Sequence, residues 1–80
     1  MIDTVSTILT KDIYFAAALL SKKATMGKVD RSDPQHIRFT FSGDGLKAIE
    51  EGWINGTLVG SLSDYAEAIR KTKSIIHARD

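Results

Sequence analysis

The spacing of apolar positions changes several times along the chain, and each change marks an element boundary. Residues 1–9 form an extended lead-in with Val5, Ile8 and Leu9 as its apolar members, and the pattern leaves open whether it pairs as a strand. From about Lys11 to Ser21, the residues Ile13, Ala16, Ala17 and Leu20 fall at i, i+3, i+4 and i+7, the spacing of one helical face. Thr10 is placed to cap this helix, and Asp12 to meet the positive end of its dipole. The other sides carry Tyr14, Phe15, Ala18 and Leu19, so the helix is apolar nearly all round. Such a helix is buried on more than one side. A chain of 80 residues has little to cover it with, which points to a second copy or a partner protein against Tyr14, Phe15, Ala18 and Leu19.

Lys22-Lys23 close the helix with the charge its C-terminus prefers. Ala24 to Val29 then reads as a strand weakened by Gly27, and Asp30-Arg31-Ser32-Asp33-Pro34 is turn chemistry. Ile37-Arg38-Phe39-Thr40-Phe41 alternates strictly, with Ile37, Phe39 and Phe41 inward and Arg38 and Thr40 outward. The two segments make an antiparallel hairpin with one wet face. Ser42-Gly43-Asp44-Gly45 turns the chain into a second helix, with Asp44 as its expected cap and Leu46, Ile49 and Trp53 on one face. Asn55-Gly56 stops that helix, because both residues tolerate a positive φ. Thr57-Leu58-Val59 is a short extended link. Ser61 to Asp64 resembles a capping box and starts a third helix, running to about Ala78. Its expected core stripe is Leu62, Tyr65, Ala66, Ile69 and Ile76, with Glu67 and Lys71 paired on the wet side.

These elements predict one α+β domain over residues 1–80, with its core at about 10–78. A short antiparallel β-hairpin, with a third N-terminal strand left open, packs against three helices. The expected core is Ile13, Ala17, Leu20, Ile37, Phe39, Phe41, Leu46, Ile49, Trp53, Leu62, Tyr65, Ile69 and Ile76.

Composition narrows the class. With 42% apolar and 26% charged residues, the chain has the content of an ordinary globular protein. A domain this short buries only about 60–65% of its unfolded surface, so its core is thin. The absence of cysteine removes disulfides and thiolate metal sites, and suits the cytoplasm. Met1-Ile2-Asp3-Thr4 lacks the pattern of a signal peptide, and the apolar run Ile13 to Leu20 is too short to cross a membrane.

Several features carry the chain's likeness to other sequences. They are Asp12-Ile13-Tyr14 before an alanine-rich helix, the Phe39-Thr40-Phe41 strand, the Trp53-Ile54-Asn55-Gly56 helix end, and a final helix with Lys73. In this order, across roughly residues 8–77, the chain resembles a small family of uncharacterised domains of unknown function from prokaryotes and their mobile elements. The resemblance implies the order of elements, and no activity, cofactor or catalytic residue.

The chemical motifs give way to simpler readings. Gly43-Asp44-Gly45-Leu46-Lys47-Ala48 matches G-x-G-x-x-A, yet the chain is too short for a dinucleotide-binding fold and the preceding strand alternates. It is read as a strand-to-helix turn. Asp30, Ser32 and Asp33 lack the glycine and bidentate glutamate of a calcium loop, whose places are taken by Gln35 and Phe41. His36 and His77 have no helix-spaced partner for zinc. There is no G-x-S-x-G elbow, and adjacent Glu50 and Glu51 point about 100° apart on a helix. Asn55-Gly56-Thr57 is formally a glycosylation sequon and is read as the helix-stopping turn. No catalytic residue, cofactor or metal is expected, and the chain is read as no enzyme.

Net charge is +1, but its distribution is uneven. Lys22, Lys23, Lys28, Arg31 and Arg38 stand against Asp30 and Asp33, a local balance of +3. If Lys28 and Arg38 share the wet face of the hairpin, this is a basic patch able to meet phosphates. The same lysines also protect an edge strand from aggregation. Two functional readings result. The first is a small protein-interaction or regulatory module, self-associating through Tyr14, Phe15, Ala18 and Leu19. The second is a nucleic-acid-binding accessory protein using Lys22, Lys23, Lys28, Arg31 and Arg38.

Overall fold

A computed structural model describes residues 6–33 and 35–77. The start of the lead-in with Val5, Pro34 of the turn, and Ala78 at the expected end of the last helix lie outside the described residues. The chain runs β1 (Ser6–Thr10), α1 (Ile13–Ser21), β2 (Thr25–Asp30), β3 (Arg38–Gly43), α2 (Leu46–Asn55) and α3 (Leu62–His77). It is an α+β fold in which one small antiparallel sheet packs against helices. The lead-in does pair. β1 joins β3 from Ser6 opposite Gly43 to Thr10 opposite Phe39, and the sheet order is β1-β3-β2. Since β1 and β2 are both antiparallel to β3, they are parallel to each other, and α1 connects them across the strand between.

β3 alternates although it is central, because the helices cover only one face of the sheet. Phe39 and Phe41 are fully buried, whereas Arg38 is exposed. On β2, Met26 lies opposite Phe41 and Val29 opposite Phe39, with a bulge at Gly27 and Lys28 between. The bulge keeps both apolar residues on the core face despite the extra residue.

α1 is the centre of the core. Phe15, Ala16, Ala17, Ala18 and Leu19 are all buried, and Phe15, Ala16 and Leu19 cluster with Phe39, Phe41 and Leu46. α1 also packs along α3 and touches α2 and β1. The helix that is apolar all round is therefore covered within one chain. Alanines make this feasible, because Ala17 and Ala18 let another backbone approach closely. The buried positions of α3 are Ala68 and Thr72, also small.

Several details differ from the expectations. Asp12, not Thr10, caps α1, accepting from the N–H of Tyr14 at 2.9 Å and of Phe15 at 3.3 Å. Thr10 remains in β1, and its hydroxyl accepts from the N–H of Asp12. α2 starts at Gly45 in a left-handed conformation with no side-chain cap, so Asp44 stands one residue too early. Glu67 pairs with Arg70 rather than Lys71, in an exposed contact. In α3, Leu62 and Ala66 are exposed, and the buried line runs through Ala68 and Thr72 with Tyr65, Ile69, Ile75 and Ile76 half-buried. Thr72 can occupy the core because its hydroxyl donates to the carbonyl of Ala68 at 2.8 Å. A stripe traced through aliphatic residues alone misses that position. Of the other expected core residues, Ala17 and Leu46 are buried, and Ile13, Leu20, Ile37, Ile49 and Trp53 are half-buried around the cluster.

Candidate functional site

A cleft is built by two helix ends and the loop between α2 and α3. α1 ends in a Schellman motif: the N–H of Lys23 donates to Leu20 and that of Ala24 to Leu19, with Lys23 in the left-handed region at φ 74°. α2 ends in the same motif, with Thr57 donating to Gly52 and Gly56 at φ 73°. The N–H of Leu58 also donates to Gly52, and a Cβ on Gly52 would stand 3.3 Å from the Leu58 side chain. Gly52 thus lets the loop fold back on its own helix. Lys22 then ties this loop to α1, its Nζ donating to the carbonyl of Val59 at 2.9 Å. At the other end, the Ser61 hydroxyl accepts from the N–H of Asp64 and starts α3.

The resulting cleft holds about 370 Å³, lined by Ala18, Ser21 and Lys22 of α1's end, Trp53, Leu58 to Leu62, and Tyr65. Its inner wall is firm, because Trp53 packs on Phe15 with ring centroids 5.7 Å apart. Tyr65 donates from its hydroxyl to the carbonyl of Tyr14 at 3.2 Å. Burial, then the charge of Asp12 and the nearby Tyr14, raise the Tyr65 phenol above its ordinary range. The rim is open and greasy: Val59 is 78% exposed and Leu62 is 86% exposed. Lys22 is the one charged residue among the described residues lining the cleft.

Of the four residues expected to offer an interface, three are buried. Phe15, Ala18 and Leu19 are buried inside the chain, so they form no free face. Ala18 contributes to the cleft floor, and Tyr14 stays half exposed beside Tyr65. Val59, Leu58 and Leu62 were not picked out as a surface. The available signal was an aliphatic pair, Leu58-Val59, inside a loop bounded by Gly56 and Gly60.

The five basic candidates do not gather into one patch. Lys22 and Lys23 sit at the end of α1, and Arg31 and Arg38 at the opposite end of β2, roughly 17 Å away at strand rise. Lys22 is committed to the Val59 carbonyl, and the Arg31 guanidinium to the carbonyl of Ile75 near the C-terminus of α3. Lys28 is exposed in the bulge. Arg38 is opposite Asp30, not Lys28. Asp30 lies below its ordinary pKa, mainly through hydrogen bonds from Ser32, with Arg38 and Lys28 helping. Asp33 is lowered first by His36, then by the N–H of Gln35. Both aspartates serve the turn. Among the described residues, no three His, Asp or Glu side chains converge as metal ligands. No described helix is long and apolar enough to cross a membrane.

The Gly43-Asp44-Gly45 turn leads from an antiparallel central strand into α2, so the parallel strand arrangement that a dinucleotide site requires is missing around β3. Comparison with protein-family models, with curated proteins and with solved structures gives no match to this chain.

Proposed function

We propose that this chain is a small non-enzymatic protein-interaction module that works in the cytoplasm and docks an apolar segment of a partner protein in the cleft between α1, α2 and α3. The observation that carries this reading is the open rim, where Val59 and Leu62 stand in water beside half-buried Trp53. Monomeric proteins keep apolar residues clustered at the surface mainly where something binds them. The cleft volume is at the low end for small-molecule pockets, and its apolar rim extends outside it, which suits side chains of a macromolecule. Lys22 at the wall and Lys23 beside it favour a segment with acidic flanks. The mode is that of an amphipathic helix or short apolar motif in a groove. The absence of cysteine supports the cytoplasmic setting. The resemblance carried by Asp12-Ile13-Tyr14 and Trp53-Ile54-Asn55-Gly56 belongs to the same reading, as a prokaryotic domain.

The test is selection of short random peptides displayed on phage, followed by titration of the winners against the emission of Trp53, the sole tryptophan. Peptides with apolar anchors and acidic flanks are expected, with micromolar affinity that is lost in Leu62→Asp and Val59→Asp. Winners that bind those variants equally well would sink the reading, as would failure to select any. Salt-sensitive binding of DNA or RNA that depends on Lys28 and Arg38 would favour the nucleic-acid alternative instead.

A further inference from the structure

Among the described residues the sheet has two edge strands, β1 and β2. An open edge presents unpaired N–H and C=O groups to other chains, and proteins blunt such edges with charges, proline or bulges. β2 has two of these devices, the bulge at Gly27 and Lys28 and the lysine itself. β1 has none. Ser6-Thr7-Ile8-Leu9-Thr10 contains no charge, proline or glycine, and it follows β3 in unbroken register. Among the described residues, the backbone of β1 makes no hydrogen bond to backbone outside its ladder with β3. Leu9 lies on the uncovered face of the sheet and is 61% exposed.

We infer that β1 pairs antiparallel with β1 of a second copy, across a two-fold axis at Ile8, joining the two sheets into one. The strand is complementary to itself in this register. Ile8 stands opposite Ile8, and Thr7 opposite Leu9 on both sides of the axis. Each pair is β-branched or aliphatic and none is charged, the pairing that stabilises antiparallel neighbours. Ile8 already packs against the core cluster while only half-buried, and its counterpart completes that burial. The two Leu9 side chains become diagonal neighbours on the open face and shield each other. The assembly also closes. Each copy uses its β1 edge once, and the edges left over are the bulged β2 strands, so the contact is isologous and does not propagate. A five-residue strand is roughly 17 Å long, too short to reach the ~800 Å² per partner of a standard interface. The dimer is therefore micromolar or weaker and depends on concentration.

This surface is separate from the cleft, so the two readings can fail independently. Sedimentation velocity from micromolar to millimolar chain, with amide hydrogen exchange at both extremes, tests it. A monomer–dimer equilibrium is expected, with protection of Ser6 to Thr10 rising with concentration. Leu9→Lys brings two cations together near the axis and should weaken the dimer at least tenfold. Thr7→Lys should do the same, and retained circular dichroism confirms the fold in either. Leu62→Asp should leave the dimer intact. A chain that stays monomeric at millimolar concentration would overturn the inference. So would a dimer that ignores both lysine variants, or one whose protection maps to Val59 to Leu62 and is lost in Leu62→Asp.

Discussion

α1 and the α2–α3 junction are both rich in apolar residues, and the fold treats them in opposite ways. Along α1, Phe15 to Leu19 disappear under strands and helices of the same chain. At the junction, Val59 and Leu62 remain in water. Hydrophobicity does not separate the two regions, but side-chain size and what lies alongside do. Ala16, Ala17 and Ala18 leave room for neighbouring backbones on several sides of α1. At the junction, Gly52 draws Leu58 back onto α2, and among the described residues no further element covers the branched side chains of Val59 and Leu62. An apolar helix is thus a weak indicator of an exposed face when four of its nine residues are small. The aliphatic pair in the glycine-bounded loop is what stays at the surface, with Val59 exposed and Leu58 half-buried.

The largest test of this contrast is Phe15→Glu. A charge placed at a buried site without a partner, together with the loss of the ring packed on Trp53, should cost more than about 4 kcal/mol. For a domain of this length that approaches the whole stability, since folded chains hold only about 0.05–0.15 kcal/mol per residue. The variant should be unfolded or nearly so in urea titration. A folded Phe15→Glu would restore the idea that this side of α1 is an outer face.

The two helix ends that frame the cleft sharpen the comparison at a smaller scale. Both are Schellman turns with one residue in the left-handed region, Lys23 after α1 and Gly56 after α2. Glycine adopts that region without strain, while a side chain there costs on the order of 1 kcal/mol or more. Lys23→Gly should therefore stabilise the chain by about 1 kcal/mol, read as a higher urea midpoint with unchanged slope. Gly56→Ala should move it the other way by a similar amount.

The same pair of turns shows how much was legible in advance. Asn55-Gly56 names its turn through glycine, and the stop of α2 is where the pattern puts it. Lys22-Lys23 signals only a charge preference, and the left-handed Lys23 is imposed by the path from α1 into β2. Local chemistry similarly located β3 through Ile37 to Phe41, and the α+β class with its hairpin and three helices. What stayed hidden depended on contacts distant in the chain. Burial of α1 by α3 depends on Ala68 and Thr72, which read as non-core residues until the Thr72 hydroxyl is seen to satisfy itself on Ala68. The cleft depends on Lys22 reaching Val59 across the fold. The basic residues looked continuous along the chain because strand direction, which separates Lys22 and Lys23 from Arg31 and Arg38, is a tertiary property.

The β2–β3 turn responds to acid in a way the helices should not. Asp30 and Asp33 have folded pKa values below the usual carboxylate value of about 3.9, held there by Ser32 and by His36 with Gln35. A carboxylate with a lowered folded pKa contributes stability above its unfolded pKa, and loses it as pH falls through the folded one. Protection factors at Ser32 and Gln35, with the intrinsic pH dependence of amide exchange divided out, should be unchanged from neutral pH to about 4 and then fall, while Ala16 to Leu19 keep their protection over the same range. An equal loss of protection in α1 would mean that acid acts on the whole fold rather than on the turn.

The smallest effect is the most informative about the junction. Leu62→Asp replaces an apolar residue that is already in water, in the first turn of α3, where a negative charge meets the positive end of the helix dipole. The lost contact is slight and the charge is favourably placed, so stability should stay within about 0.5 kcal/mol of the parent. The same substitution puts a carboxylate on the cleft rim and should abolish peptide binding there. A residue whose replacement removes binding and leaves folding untouched is retained for the surface it offers. If Leu62→Asp instead destabilises the chain by several kcal/mol, Leu62 is part of the core in solution and the cleft is narrower than 370 Å³. The contrast between a buried α1 and an exposed junction would then collapse to a difference in degree.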